Sequence, residues 1–263
     1  MKFDLAGHTA LITGSDRNTG EVIARTLAGA RAVVVIHSNA SESSAAEFAQ
    51  AIPGAHCVVG DIATAAGCDA VCEQVLTLGL TLDILVNNYG TASRGKWLTA
   101  SDEDWLEMYQ KNVLSVARLV RGFTPDMVAR GRGRIINLGT VGSHRPGPLM
   151  PHYYSAKGAL ATMAVSLMQE LGGTGVTVNT VSPGLIHTPE LEAAYRQKAE
   201  RKGWGSHWEE ILPHILAEDF PNPCGRLATR EEVADLVLFL ASDEAGFING
   251  QNIRVDGGAV AYV

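Results

Sequence analysis

Basic residues are in deficit in this chain: 21 Lys and Arg stand against 28 Asp and Glu, a formal net charge of −7. That balance excludes nucleic acid and an anionic membrane surface as main partners. Arg130, Arg132 and Arg134 form a small local basic cluster, read as a solvated helix-to-strand turn rather than an anion-docking patch. No apolar run approaches the roughly 20 residues of a membrane span. The N-terminus carries Asp4 and no cleavage site, so it does not read as a signal peptide. Cysteine is scarce: Cys57, Cys68, Cys72 and Cys224 include no metal-type pair. Buried thiols in the reducing cytoplasm are the expectation, with no metal site. Charged residues reach only 19%, but apolar residues at 46% supply a core and exclude a disordered chain.

Glycine is in excess, 28 residues of 263, without a collagen-like period. The surplus must serve turns and close backbone approach. Strand and helix patterns alternate from the start. Apolar strands read at 8–14, 31–37, 55–61, 82–88, 133–139, 175–181 and 251–258. Helices read at 21–30, 41–52, about 71–78, 102–129, 152–171 and 229–242. The expected fold class is α/β: one doubly wound Rossmann-type domain over 1–263, a seven-stranded parallel sheet with helices on both faces. The stretch 189–225 breaks the pattern, with four prolines and two tryptophans, and reads as an irregular substrate lid.

The first strand runs through Thr13-Gly14-Ser15-Asp16-Arg17-Asn18-Thr19-Gly20 directly into a helix. Such a turn presents backbone N–H groups and a helix N-terminus to a pyrophosphate. This turn resembles the TGxxxGxG motif of the short-chain dehydrogenase/reductase family, and further motifs follow in order. Asn87-Asn88-Tyr89-Gly90 resembles the family's NNAG, Tyr153 and Lys157 form YxxxK, and 179–188 and 248–258 resemble the proline-glycine segment and the last strand. The resemblance covers essentially the whole chain. Three residues depart from it: Asn18 replaces a glycine, Tyr89 an alanine and Thr140 a serine. Asn tolerates the left-handed backbone a glycine would take, and the Thr hydroxyl keeps a donor and acceptors.

The resemblance implies a nicotinamide dinucleotide held by Gly14, Arg17, Asn18, Thr19 and Gly20 in the turn. His37, Ser38 and Asn39 would follow at the end of strand two, and Asp61 and Ile62 after strand three. Asn88 and Gly90 follow strand four, then Tyr153 and Lys157, and Pro183, Gly184, Ile186 and Thr188. An acid at the end of strand two would select a free ribose 2′-OH. None occurs before Glu42, and Arg17 suits a 2′-phosphate, so NADP(H) is favoured, with NAD(H) as the alternative.

A free tyrosine, with a pKa near ~10, is a poor base at neutral pH. A lysine at i+4 lies on the same helix face, and its charge favours the phenolate. Tyr153 and Lys157 have this spacing, and Thr140 can hold the substrate oxygen. The resemblance adds Asn112 as a proton-path residue. The catalytic set is therefore Asn112, Thr140, Tyr153 and Lys157. Substrate contacts are expected from Thr140, His144, Met150, Tyr153, Leu185 and Trp204, with an apolar inner side to the lid from Leu185, Leu191, Trp204, Trp208 and Leu212.

The reaction expected is interconversion of a mostly apolar or cyclic secondary alcohol and its ketone. A 3-oxoacyl-carrier-protein reductase is the alternative, weakened by the chain's own acidity. A non-catalytic NADP-binding scaffold is the second. Relatives commonly form tetramers through helices 102–129 and 152–171, which implies a homotetramer, or a homodimer.

Overall fold

The computed structural model describes residues 3–261. Seven strands form one parallel sheet: β1 (Thr9–Ile12), β2 (Val33–Ser38), β3 (His56–Val59), β4 (Ile84–Asn87), β5 (Gly133–Leu138), β6 (Val176–Pro183) and β7 (Asn252–Val255). Their order is β3-β2-β1-β4-β5-β6-β7, the doubly wound arrangement expected. Both faces are covered, and alternate residues of each strand divide between them. Ala10 and Ile12 of β1 pack with α1 (Asn18–Gly29), α2 (Glu42–Gln50) and α9 (Arg230–Ala241). Leu11 between them packs with α3 (Ala65–Thr77), α5 (Ser115–Arg130) and α6 (Pro151–Glu170) on the other face. Two-sided burial is why these strands are continuous apolar runs.

The expected helix 102–129 is interrupted. It runs as α4 (Asp102–Tyr109), a wide π turn at Gln110–Leu114, then α5. The lid also differs from expectation. Instead of an irregular loop it forms α7 (Pro189–Lys202), α8 (Trp208–His214) and a π turn at Ile215–Asp219. Ala199, Trp204, Ile211, Ile215 and Leu227 close a small apolar core of its own. Prolines did not prevent this because Pro189 sits in the first turn of α7, where no N–H is needed. The basic cluster is paired rather than solvated: Arg130 bonds Asp83 and Asp126, and Arg132 and Arg134 both reach Asp243.

Order reversal between β1 and β4 opens a crevice at the strands' C-terminal ends. Thr13–Gly20, Asn88–Gly90, Thr140 and Pro183–Thr188 all follow strands that end there. At the turn, Asn18 adopts φ +54°, the left-handed backbone the missing glycine would have taken. Replacing it with Ala loses the residue type that tolerates this conformation. Asn18→Ala is expected to cost about 1 kcal/mol while Asn18→Gly stays near neutral, read from urea unfolding midpoints.

Candidate active site

The turn is packed too tightly for a side chain at Gly20. A Cβ there would lie 2.4 Å from the Gly14 carbonyl oxygen and 2.6 Å from Asn88 Nδ2. Asn88 Nδ2 donates to the carbonyls of Thr13 and Gly14 at 2.9 and 3.0 Å, tying the end of β4 to the turn. Ser41, Thr64, Thr188 and Thr229 cap their helices with side-chain oxygens, but Arg17 places no side-chain cap on α1. The first N–H groups of α1 therefore stay open for an anion. This cradle fits a dinucleotide pyrophosphate.

His37 departs from its expected role. Its side chain is fully buried; Nδ1 accepts from the Gly14 N–H at 2.9 Å and Nε2 pairs with the Gly60 carbonyl at 3.0 Å. With both nitrogens committed to backbone, the ring cannot also contact a cofactor, and it acts as a brace beneath the turn. Burial holds its pKa below the ordinary histidine value. Ile62 likewise turns its side chain into the core, and its N–H donates to Asn39 Oδ1 at 3.1 Å. Asn39 Nδ2 donates to Asp61 Oδ1 at 2.9 Å, which links the ends of β2 and β3. Ser38 Oγ donates to Asp16 Oδ2 at 2.8 Å. Tyr89 lies against Gly14, with its ring Cδ2 3.5 Å from the place of the absent Cβ, so its bulk faces the turn.

Thr140 follows β5 after Gly139 and lies by Tyr153, which stands one turn before Lys157 on α6. Burial pushes the Tyr153 phenol up to about 12, with Tyr154 adding to the rise and the Thr140 hydroxyl opposing it. Burial also lowers the Lys157 ammonium to about 8. Lys157 Nζ is anchored on the Leu138 carbonyl at 2.8 Å. Gly90 packs beside it: a Cβ there would lie 2.9 Å from Lys157 Nζ and 2.4 Å from Asn112 Oδ1.

Asn112 sits inside the π turn and is fully buried. Its Nδ2 donates to the carbonyls of Thr91 and Met108, both at 3.0 Å, while Oδ1 has no protein partner. Lys157 and Asn112 are thus brought together at Gly90, and the orphaned Oδ1 is a buried acceptor awaiting a donor.

The expected substrate residues divide. Met150 stands immediately before α6, and Leu185 follows Gly184 on the Pro183–Thr188 segment. His144 is tied to the edge strand β7 through Asn252 Nδ2 at 3.0 Å. Trp204 does not line the cleft: it is buried in the lid core, stacked on His214 with centroids 4.9 Å apart and with Lys198 Nζ 4.7 Å over its ring. Lid helices bury their apolar faces against each other, which removes this tryptophan from the wall expected of it. Thr188 accepts from Leu191 N–H at the start of α7, and a cleft of about 460 Å³ opens beside it, lined by His187, Thr188, Glu192, Arg196 and Arg230 among others.

Two further features shape the site. Fully buried His152 pairs through Nε2 with Ser93 Oγ at 3.1 Å and accepts the Tyr153 N–H on Nδ1 at 3.0 Å. It pins the loop after β4 to the start of α6; its position beside Tyr153 was the available signal. The second is Asp16, whose carboxylate beside Arg17 is an unusual charge for a phosphate-facing turn.

The family model described as "Enoyl-(Acyl carrier protein) reductase" matches residues 14–260. The chain is 34% identical over 260 residues to the 3-oxoacyl-[acyl-carrier-protein] reductase FabG of Escherichia coli, covering 98% of each. Among solved structures it is similar to L-sorbose reductase from Gluconobacter frateurii complexed with NADPH and L-sorbose, with a TM-score of 0.93, 32% identity and full coverage of both chains. It is also similar to a gluconate 5-dehydrogenase from Burkholderia cenocepacia in complex with NADP and tartrate, with a TM-score of 0.86 and 31% identity over 100% of this chain and 98% of that one.

Proposed function

This chain belongs to the short-chain dehydrogenase/reductase family, and from that premise we propose that Tyr153, Thr140 and Lys157 interconvert a secondary alcohol and its ketone with NADP(H). The observation that carries the reading is the placement of Tyr153 and Lys157 on one face of α6 beside Thr140, with buried Lys157 Nζ fixed on the Leu138 carbonyl at 2.8 Å. Thr140 holds the substrate oxygen against the Tyr153 hydroxyl. With its phenol pushed up to about 12, Tyr153 keeps its proton at neutral pH and donates it to the oxygen as a carbonyl is reduced. Bound NADP(H) supplies or accepts the hydride. Lys157, fixed on the Leu138 carbonyl beside Gly90, offers a cationic donor at the floor of the site. Asn112, through its helix backbone and a water, would extend the proton path to solvent.

The open N–H groups of α1 and the turn Gly14–Gly20 hold the pyrophosphate, with Asn88, Gly90 and Pro183–Thr188 flanking it. Arg17, exposed at the turn, favours the 2′-phosphorylated cofactor. Both similar solved complexes contain NADP or NADPH, in support. The substrate is a small ketone. The retreat of Trp204 into the lid core and the likeness to a reductase complexed with L-sorbose favour one bearing hydroxyl groups. Exposed Leu106, Leu114 and Val165 on the faces of α4–α6 support a homotetramer, with a homodimer as the alternative. Among the described residues no helix is long and apolar enough to cross a membrane. All four cysteines are free, which supports a cytoplasmic setting.

The test is a panel of keto-sugars, sugar acids, apolar cyclic ketones and a 3-oxoacyl thioester, assayed with NADPH and NADH in parallel. Turnover of a hydroxylated ketone is the expected result. Preference for the thioester moves the assignment to a 3-oxoacyl reductase. Tight NADPH binding without turnover of any compound leaves only a cofactor-binding scaffold.

A further inference from the structure

We propose that Asp16 sets how strongly the site discriminates between an adenosine ribose with a 2′-phosphate and one without, by opposing its neighbour Arg17. The inference rests on the dinucleotide reading above and concerns one end of that site. Asp16 lies in the turn between β1 and α1, but its side chain crosses to β2. Oδ2 accepts from Ser38 Oγ at 2.8 Å and from Ser44 Oγ at 3.1 Å. Ser38 is the last residue of β2, and Ser44 stands in the first turn of α2. Ser38 Oγ also accepts the Ser41 N–H at 3.2 Å, and Ser41 Oγ accepts the Ser44 N–H at 3.1 Å. The carboxylate therefore sits among hydroxyls at the positive end of α2, ground that suits any anion.

In a dinucleotide fold the choice between a ribose hydroxyl and a ribose phosphate is made at the end of the second strand, by an acid or a base placed there. This chain has neither: the residues are His37, Ser38, Asn39, Ala40 and Ser41. Its acid arrives from the other wall of the crevice. Arg17, next in sequence, is exposed and attracts a phosphate dianion, while Asp16 repels it and already occupies the hydroxyls a phosphate would use. A 2′-hydroxyl meets no such repulsion and can donate to the carboxylate. The two adjacent charges thus offset one another, and the preference for NADP(H) over NAD(H) is modest because of Asp16.

The test compares adenosine 2′,5′-bisphosphate with 5′-AMP, which differ only in the 2′-phosphate, by calorimetric titration of the full-length protein. Asp16→Asn keeps a carbonyl oxygen for Ser38 and Ser44 and removes the charge. It is expected to tighten binding of the bisphosphate about tenfold, an effect that shrinks with added salt, and to leave 5′-AMP nearly unchanged. The ratio of kcat/KM for NADPH over NADH should rise in parallel. Asp16→Ser, which shortens the side chain, should shift the ratio the same way. Equal loss of both nucleotides in either variant would mean that Asp16 only ties the turn to β2, and would overturn the proposal, as would an unchanged ratio. Failure of the wild-type protein to bind either nucleotide would overturn the dinucleotide reading itself, and this inference with it.

Discussion

Tyr153→Phe is expected to lower kcat by about a thousandfold while NADPH binding stays close to wild type. Phenylalanine keeps the ring and its packing beside Tyr154, with centroids 5.7 Å apart in the native pair. It removes only the phenolic hydroxyl, the group placed to protonate the substrate oxygen. General acid catalysis at a positioned group contributes about 10²–10⁴ in rate, so nearly all of that factor should vanish. Because burial raises the phenol to about 12, the native site is set as an acid at neutral pH. Ketone reduction should therefore run freely at pH 7, whereas alcohol oxidation, which needs the phenolate, should accelerate as pH rises. Fluorescence titration with NADPH, run beside reductase assays of both proteins, checks the prediction. A variant retaining a tenth of wild-type turnover would remove Tyr153 from the chemistry.

Lys157→Met should give the opposite pair of effects, loss of turnover together with a gain in stability. Lys157 is 5% exposed and bonds the Leu138 carbonyl. Its fall from 10.5 to about 8 corresponds to about 3 kcal/mol of penalty for keeping the ammonium charged in the fold. Methionine fills similar space without a charge. Losing the bond to Leu138 gives back about 1 kcal/mol, so the net gain is about 2 kcal/mol, or about 5 °C in Tm at neutral pH. The sign fixes the pH dependence. The folded-state value lies below the unfolded one, so the penalty is full below pH 8 and is relieved as pH rises from about 8 toward 10.5. The gap in Tm between the two proteins should close over that window. A variant less stable than wild type at pH 7 would show that the ammonium is held by more than the Leu138 carbonyl. Such a cost borne for function is the ordinary bargain at an active site.

Strand positions and two-faced burial were legible because apolar runs such as 31–37 and 82–88 admit little else in an alternating β/α chain. Asn18 was legible too, since a left-handed position accepts few residues and asparagine is among them. What escaped were contacts that depend on direction. Nothing in the sequence says that the ring of His37 points back to Gly14 rather than outward, because a residue at a strand end can face either side. The π turn around Asn112 was hidden inside a helical pattern that one extra residue per turn barely disturbs. Aromatic residues in the lid read equally as wall or as filling, and for Trp204 the second won once α7 and α8 had formed. The i+4 spacing of Tyr153 and Lys157 placed both on one face, but not the carbonyl that claims the lysine.

That small apolar core within the lid has an evolutionary consequence. A segment packed around its own Trp204, Ile211 and Ile215 draws much of its packing from within itself. Residues on its cleft-facing surface can change without drawing on the stability of the strands that carry Thr140 and Gly90. Selection can then retune what enters the site by rewriting one module, while the proton-transfer machinery on β5 and α6 stays fixed.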